Sequence, residues 1–320
     1  MKNNFNKALK EDNRELFIKM PKSDLHNHSA LGCKLKVFEK KTGIELSSPP
    51  KKMKSITEMD SYIFSVLAPA FMNDEGFDIS FNESLRQAYS DGVTVLRMSI
   101  DCFFADFFEG KEYGLVNKIK EISSKYDNKL KFLPQIGFAR GREKSYYKLA
   151  QACIETGFFE SVDLYGNELI QDAKDFKPLY KLAKKTGMRL IAHAGEFGSA
   201  QSVRETIETL ELDEVQHGIS IASSPEIMKW VADNKIRLNI CPSSNICMTR
   251  VRNYKLHPIK ILFDNGIIVT INTDDIMLFG QTVCDEYFNL YKSGCLTAEE
   301  LNTIREYGIS LATTRKRSIK

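Results

Sequence analysis

Eight short apolar segments recur along the chain, and longer stretches of helical period run between them. They are KSDLHNH (22–28), VTVLRMSI (93–100), LKFLPQIGF (130–138), SVDLYGN (161–167), RLIAHAG (189–195), EVQHGI (214–219), IRLNICP (236–242) and GIIVTINTD (266–274). Their near-continuous hydrophobicity predicts strands buried on both faces, as in a parallel sheet. The stretches between them carry helix signals. Ser224 before Pro225 reads as an N-cap and first helical residue. Gly187, closing DFKPLYKLAKKTG, suits a left-handed C-cap. Val203, Ile207 and Leu210 recur on one helical face. Thr297 and Glu300 form a capping-box pattern. Eight strands alternating with helices in 320 residues predict a (β/α)8 TIM barrel. A doubly wound open sheet would want a glycine-rich phosphate loop after the first strand, and HNHSALGCK is not one. Nothing marks a domain boundary, so residues 1–320 read as one barrel domain. Within it, 29–80 form a long excursion between strands one and two, expected as a lid insertion or as extra core. Residues 312–320 form a basic tail.

Composition narrows the function classes. Net charge is only +3, with no clustered basic face, which argues against a nucleic-acid partner. The opening MKNNFNKALKEDNRELFIKM lacks the apolar core of a secretory signal. No run approaches the roughly 20 apolar residues of a membrane span. Seven scattered cysteines without a CxxC pair fit a reduced, cytoplasmic compartment.

The polar residues then fall into a pattern. His26 and His28 end strand one, Glu168 follows strand four, and His193 and Glu196 close strand five. His217 ends strand six, and Asp274 and Asp275 end strand eight. All lie at the carboxyl ends, the catalytic face of such barrels. Side chains two apart on a strand share a side, so His26 and His28 face together. Three neutral imidazoles and one carboxylate suit Zn²⁺ or another divalent transition metal: His26, His28, His193 and Asp274. Such an ion makes hydroxide available from its water near neutral pH. His217 is left as a base or electrostatic partner of that water. Glu196 is a candidate general acid if a dry site raises its pKa. Asp275 is placed to accept a hydrogen bond from substrate or to orient the nucleophile. His257, in KLHPIK, reads as structural. Singly, each motif has a bland alternative: an exposed HxH, a capping carboxylate, a core histidine. Their convergence on one barrel edge carries the reading.

At this point the sequence resembles the adenosine deaminase family of metal-dependent aminohydrolases. The matching pieces are MPKSDLHNH, GVTVLRMSI, VDLYGNE, IAHAGE, VQHG, CPSSN and HPIKILFDNGIIVTINTDD, in the family's order over nearly the whole chain. The resemblance implies one Zn²⁺ on His26, His28, His193 and Asp274, and a small-molecule purine substrate. It implies that Glu196 passes a proton to ring N1 of a 6-aminopurine. His217 would orient and deprotonate the water, Asp275 would hold it and N7, and the backbone of Gly166 would contact N3. The implied reaction is hydrolytic deamination at C6, with ammonia leaving.

Three departures bear on specificity. Ala30 stands where the family usually has an acidic sugar contact. Arg97 and Ser99 replace a usual Glu and Arg on strand two. Tyr165 replaces a small residue beside Gly166. The expected substrate is therefore adenosine or a modified adenosine. Adenine or another aminopurine, or a purine-binding barrel without turnover, is the alternative. A multi-metal phosphoesterase would want more histidines than five. A binuclear amidohydrolase would want a bridging lysine after strand four. The sequence does not set the oligomeric state.

Overall fold

A computed structural model describes residues 2–310. The basic tail at 312–320 lies outside the described residues. Eight strands form one parallel sheet in sequential order: β1 (Lys22–Asp24), β2 (Val93–Asp101), β3 (Lys131–Ala139), β4 (Ser161–Tyr165), β5 (Arg189–Ala194), β6 (Glu214–His217), β7 (Arg237–Ile240) and β8 (Val269–Ile271). The last strand returns to the first. Asn27 bridges Asp274 in parallel, and the Asp274 N–H donates to the His26 carbonyl at 2.8 Å. The (β/α)8 barrel expected from the eight segments is the fold, and each predicted strand overlaps an observed one. The outer strands are shorter than predicted: β1 stops at Asp24 and β8 at Ile271. Beyond those points the chains leave the regular ladder to form the barrel mouth.

Strand β2 shows why its sequence is apolar on both faces. Leu96, Met98 and Ile100 pack into the main core under the helices. Val95, Arg97, Ser99 and Asp101 share the other face. Val95 joins Leu25 and Leu133 in a small separate apolar cluster. Above it, Arg97 grips buried Glu214 with Nη1 at 2.6 Å and Nη2 at 3.3 Å. Arg189, Arg237 and Asn239 converge on the same carboxylate. Burial alone would raise the Glu214 pKa, but the three guanidiniums outweigh it and hold the carboxyl far below its usual range. Arg97 thus belongs to an ionic plug in the barrel, while Ser99 lines the cavity at its mouth.

The helix signals have their expected outcomes. Ser224 caps Pro225–Asp233 through the Ile227 N–H. Thr297 and Glu300 make the capping box of Ala298–Ile309. Gly187 takes the left-handed conformation just beyond Lys177–Lys185. The chain between β1 and β2 forms the helices Leu35–Thr42, Ile56–Tyr62, Ala68–Phe71 and Asp74–Ser90. A π-helical turn spans Ile63–Leu67. Its extra residue per turn shifts the apolar faces. Phe64 and Phe71 line the cavity, whereas Tyr62 and Leu67 are buried outside it. Among the described residues no helix is long and apolar enough to cross a membrane.

Candidate active site

The carboxyl ends of the strands bring the predicted residues together. His26 is buried, and its Nδ1 lies 3.2 Å from the Asn239 carbonyl oxygen. A carbonyl only accepts, so Nδ1 carries hydrogen and Nε2 is a bare lone pair in the neutral ring. His193 presents Nδ1 to Asp163 Oδ1 at 3.1 Å, so its Nε2 is bare as well. The two Nε2 atoms face each other at 3.0 Å. Two lone pairs do not bond; a proton or a cation must lie between them. Burial holds the His26 pKa well below its usual value, against the pull of Asp274, which disfavours a shared proton. The donor set therefore fits a metal cation. Asp274 adds Oδ1 at 3.6 Å from His26 Nε2 and 3.4 Å from His28 Nε2. Cys241 Sγ also approaches His26 and Asp274, but burial keeps its thiol pKa high.

Two side chains at the mouth sit on unusual backbone. His217 and Asp274 have φ of 65° and 60°, the left-handed region that non-glycine residues avoid. Such strain is retained where the surrounding structure demands a particular aim. His217 Nε2 lies 3.7 Å from Asp274 Oδ2 and 3.6 Å from Glu196 Oε2. Burial, reinforced by the Asp274 and Glu168 charges, pushes the Glu196 carboxyl well above its usual range. A raised carboxyl pKa is the direction that the general-acid reading requires. Asp275 is pushed up to about 7 by burial, opposed by His28, and its Oδ1 is buried without a hydrogen-bond partner. Burial also works against charge on His28, but the Asp275 and Asp274 carboxylates prevail and raise it to about 10.

The loop bearing Glu196 is tied down by Glu168. That carboxylate accepts from the N–H groups of Gly195 at 2.7 Å, Phe197 at 2.6 Å and Gly198 at 2.8 Å. Gly166 borders the cavity with φ of 82°, a conformation that penalises any Cβ. The cavity measures about 480 Å³ and has a mainly apolar wall. From the helical turns between Ile56 and Phe71 it receives Ile56, Met59, Ile63, Phe64 and Phe71, with Asp60 as a polar exception. On its far side Asp101 accepts from the Tyr146 and Tyr165 hydroxyls. Tyr165, one of the sequence departures, is thus anchored by another cavity residue.

Sequence reasoning missed several contributors. Asp163 interrupts an apolar strand and supports His193; an acid inside such a strand is a readable signal. Asp24 accepts from the Thr273 N–H and hydroxyl and from Asn27, pinning the two strand ends that carry His26 and Asp274. Asn245 touches both Glu196 and His217. His257, read as structural, is buried and hydrogen-bonded to Asn245 at 3.3 Å.

A parallel barrel with imidazoles and carboxylates gathered at its carboxyl mouth is the arrangement of a metal-dependent hydrolase. The sequence model of adenosine deaminases matches residues 139–318. A Treponema pallidum protein named for adenosine or adenine deamination is 32% identical over 295 residues, covering 91% of this chain and 99% of that protein. The adenine deaminase structure from Arthrobacter aurescens has a TM-score of 0.79 at 22% identity, covering 92% of this chain and 94% of that one. An amidohydrolase from Burkholderia ambifaria with bound Zn has a TM-score of 0.77 at 18% identity, covering 94% and 88%. These two structures share the fold. The chain belongs to the adenosine deaminase family, and it is a metal-dependent deaminase of the adenosine/adenine type.

Proposed function

We propose that the protein hydrolyses the 6-amino group of a purine nucleoside, adenosine or a modified adenosine, at a single Zn²⁺ held by His26, His28, His193 and Asp274. The observation that carries this reading is the meeting of the His26 and His193 Nε2 lone pairs at 3.0 Å, beside a Glu196 carboxyl whose pKa burial raises. When bound, the ion lowers the pKa of its water toward neutrality. The remaining chemistry belongs to the chain. Glu196 gives its proton to ring N1, which makes C6 electrophilic. His217 and Asp275 flank and orient the attacking oxygen. The Gly166 backbone meets N3. The helices between β1 and β2 act as a lid on one barrel domain, excluding water from the protonated ring.

A cavity of about 480 Å³ has room for more than a bare purine, which favours a nucleoside over adenine. Ala30 on its wall, with the apolar lid side chains, favours a sugar whose 5′ position is less polar than a free hydroxyl. Seven scattered cysteines without a CxxC spacing favour a reducing, cytoplasmic setting. The test is a panel of adenine, adenosine, deoxyadenosine and 5′-modified adenosines with zinc-loaded protein, read by absorbance loss and ammonia release. Turnover of nucleosides above adenine is expected. Turnover of none of them would overturn the proposal.

A further inference from the structure

The protons on the catalytic residues can be traced back to one backbone amide. The Ile259 N–H donates to His257 Nδ1 at 3.1 Å. A nitrogen that accepts there cannot also carry hydrogen, so the His257 proton sits on Nε2. That Nε2–H faces Asn245 Oδ1 at 3.3 Å. The acceptor end of the amide is thereby fixed, and its NH₂ end must point the other way. Its two hydrogens meet two acceptors: His217 Nδ1 at 3.1 Å and Glu196 Oε1 at 3.4 Å. Asn245, His217 and His257 are all buried, so water does not replace these partners.

We infer that Asn245 and His257 are positioning residues that hold the His217 proton on Nε2, making His217 a hydrogen-bond donor to the attacking oxygen rather than its base. This rests on the deaminase reading above. The geometry agrees from the far side. His217 Nε2 looks toward Asp274 Oδ2 at 3.7 Å, a carboxylate oxygen that accepts. With Nδ1 engaged by Asn245, the ring has no free lone pair to take a proton from water. A donor fixed in advance at the oxygen that becomes attached to C6 stabilises developing negative charge without reorganisation. The same NH₂ group occupies Glu196 Oε1, which leaves Oε2 to carry the proton meant for the ring.

The experiment uses zinc-loaded protein labelled with ¹⁵N-histidine; with five histidines the ring spectrum is assignable. Long-range ¹H–¹⁵N correlations distinguish the tautomers directly. Wild-type His217 is expected as Nε2–H. In Asn245→Asp, a carboxylate accepts from His257 and demands a proton from His217 Nδ1. The expected result is a switch to Nδ1–H, a kcat loss of roughly 10²-fold or more, and little change in KM or zinc content. His257→Gln supplies an oxygen for the Ile259 N–H and an amide donor for Asn245, so it should keep the Nε2–H signature and most of kcat. His257→Leu should lose both. A wild-type Nδ1–H spectrum, or Asn245→Asp with unchanged spectrum and kcat, would overturn the inference. A wild-type Nε2–H spectrum in a protein that deaminates no aminopurine would overturn the functional proposal and leave the tautomer assignment standing.

Discussion

At the scale of single residues, each role has its own measurable consequence. Glu196→Gln keeps shape and hydrogen bonds but has no acidic proton. It should retain zinc by elemental analysis while kcat falls by roughly 10²–10⁴-fold, the range of general-acid contributions; near-normal turnover would remove Glu196 as the donor. Asp163 acts one bond further out. It holds His193 through Nδ1 and so keeps Nε2 bare. Asp163→Asn should weaken zinc binding by about 10–100-fold, measured by chelator competition. Ala30 tests the sugar side of the cavity. Ala30→Asp should raise kcat/KM for plain adenosine relative to 5′-modified adenosines, and an unchanged ratio would show that position 30 does not read the sugar.

At the scale of elements, the sequence was legible wherever burial on both faces writes itself into a run of apolar residues. Strands β2, β3 and β5 are such runs, whereas β1, Lys22–Asp24, is polar and was found through the segment that continues from it. The mouth residues were legible too, because histidines and carboxylates at strand ends have few reasons to cluster there. What was not legible arises from packing rather than pattern. The π-helical turn Ile63–Leu67 has no period of its own in the sequence. Arg97 reads as a pocket residue until its pairing with Glu214, 117 residues away, places it in the barrel plug. Asn245 and His257 lie 12 residues apart, and only the fold joins them to His217. The loop after β5 is tied to one side chain, Glu168. Glu168→Ala would orphan the three N–H groups that it binds. Hydrogen exchange at residues 195–198 should rise and kcat should fall with zinc content unchanged; protected amides in that variant would show that the loop orders itself.

At the scale of the whole molecule, the proposed ligands come from β5 and from the ends of β1 and β8, the two strands that close the barrel. Zinc binding is then also folding energy, and removing the ion by chelation should lower Tm and abolish activity, with both restored by Zn²⁺. A second global effect comes from Glu286, on the helix Val283–Lys292. Its carboxyl is fully buried and accepts from the Ser243 N–H at 3.1 Å, at the start of the helix that carries Asn245. Burial pushes its pKa up to about 8, only partly countered by the Ser243 hydrogen bonds. A folded-state pKa above the unfolded value of about 4.5 means that the protonated form is the one favoured by folding. That contribution is complete below about 4.5 and is lost as pH rises through about 8. Glu286→Gln keeps an acceptor for Ser243 and removes the titration. The variant should therefore gain on wild type as pH rises, by roughly a few kcal/mol between pH 5 and pH 9 in paired denaturant unfolding curves. Comparison at each pH cancels the effects of zinc and of Asp24, whose buried carboxyl is likewise raised, to about 7. Parallel stability profiles for the two proteins would mean that Glu286 is solvated in the folded state, and that the Ser243 contact is not a buried one.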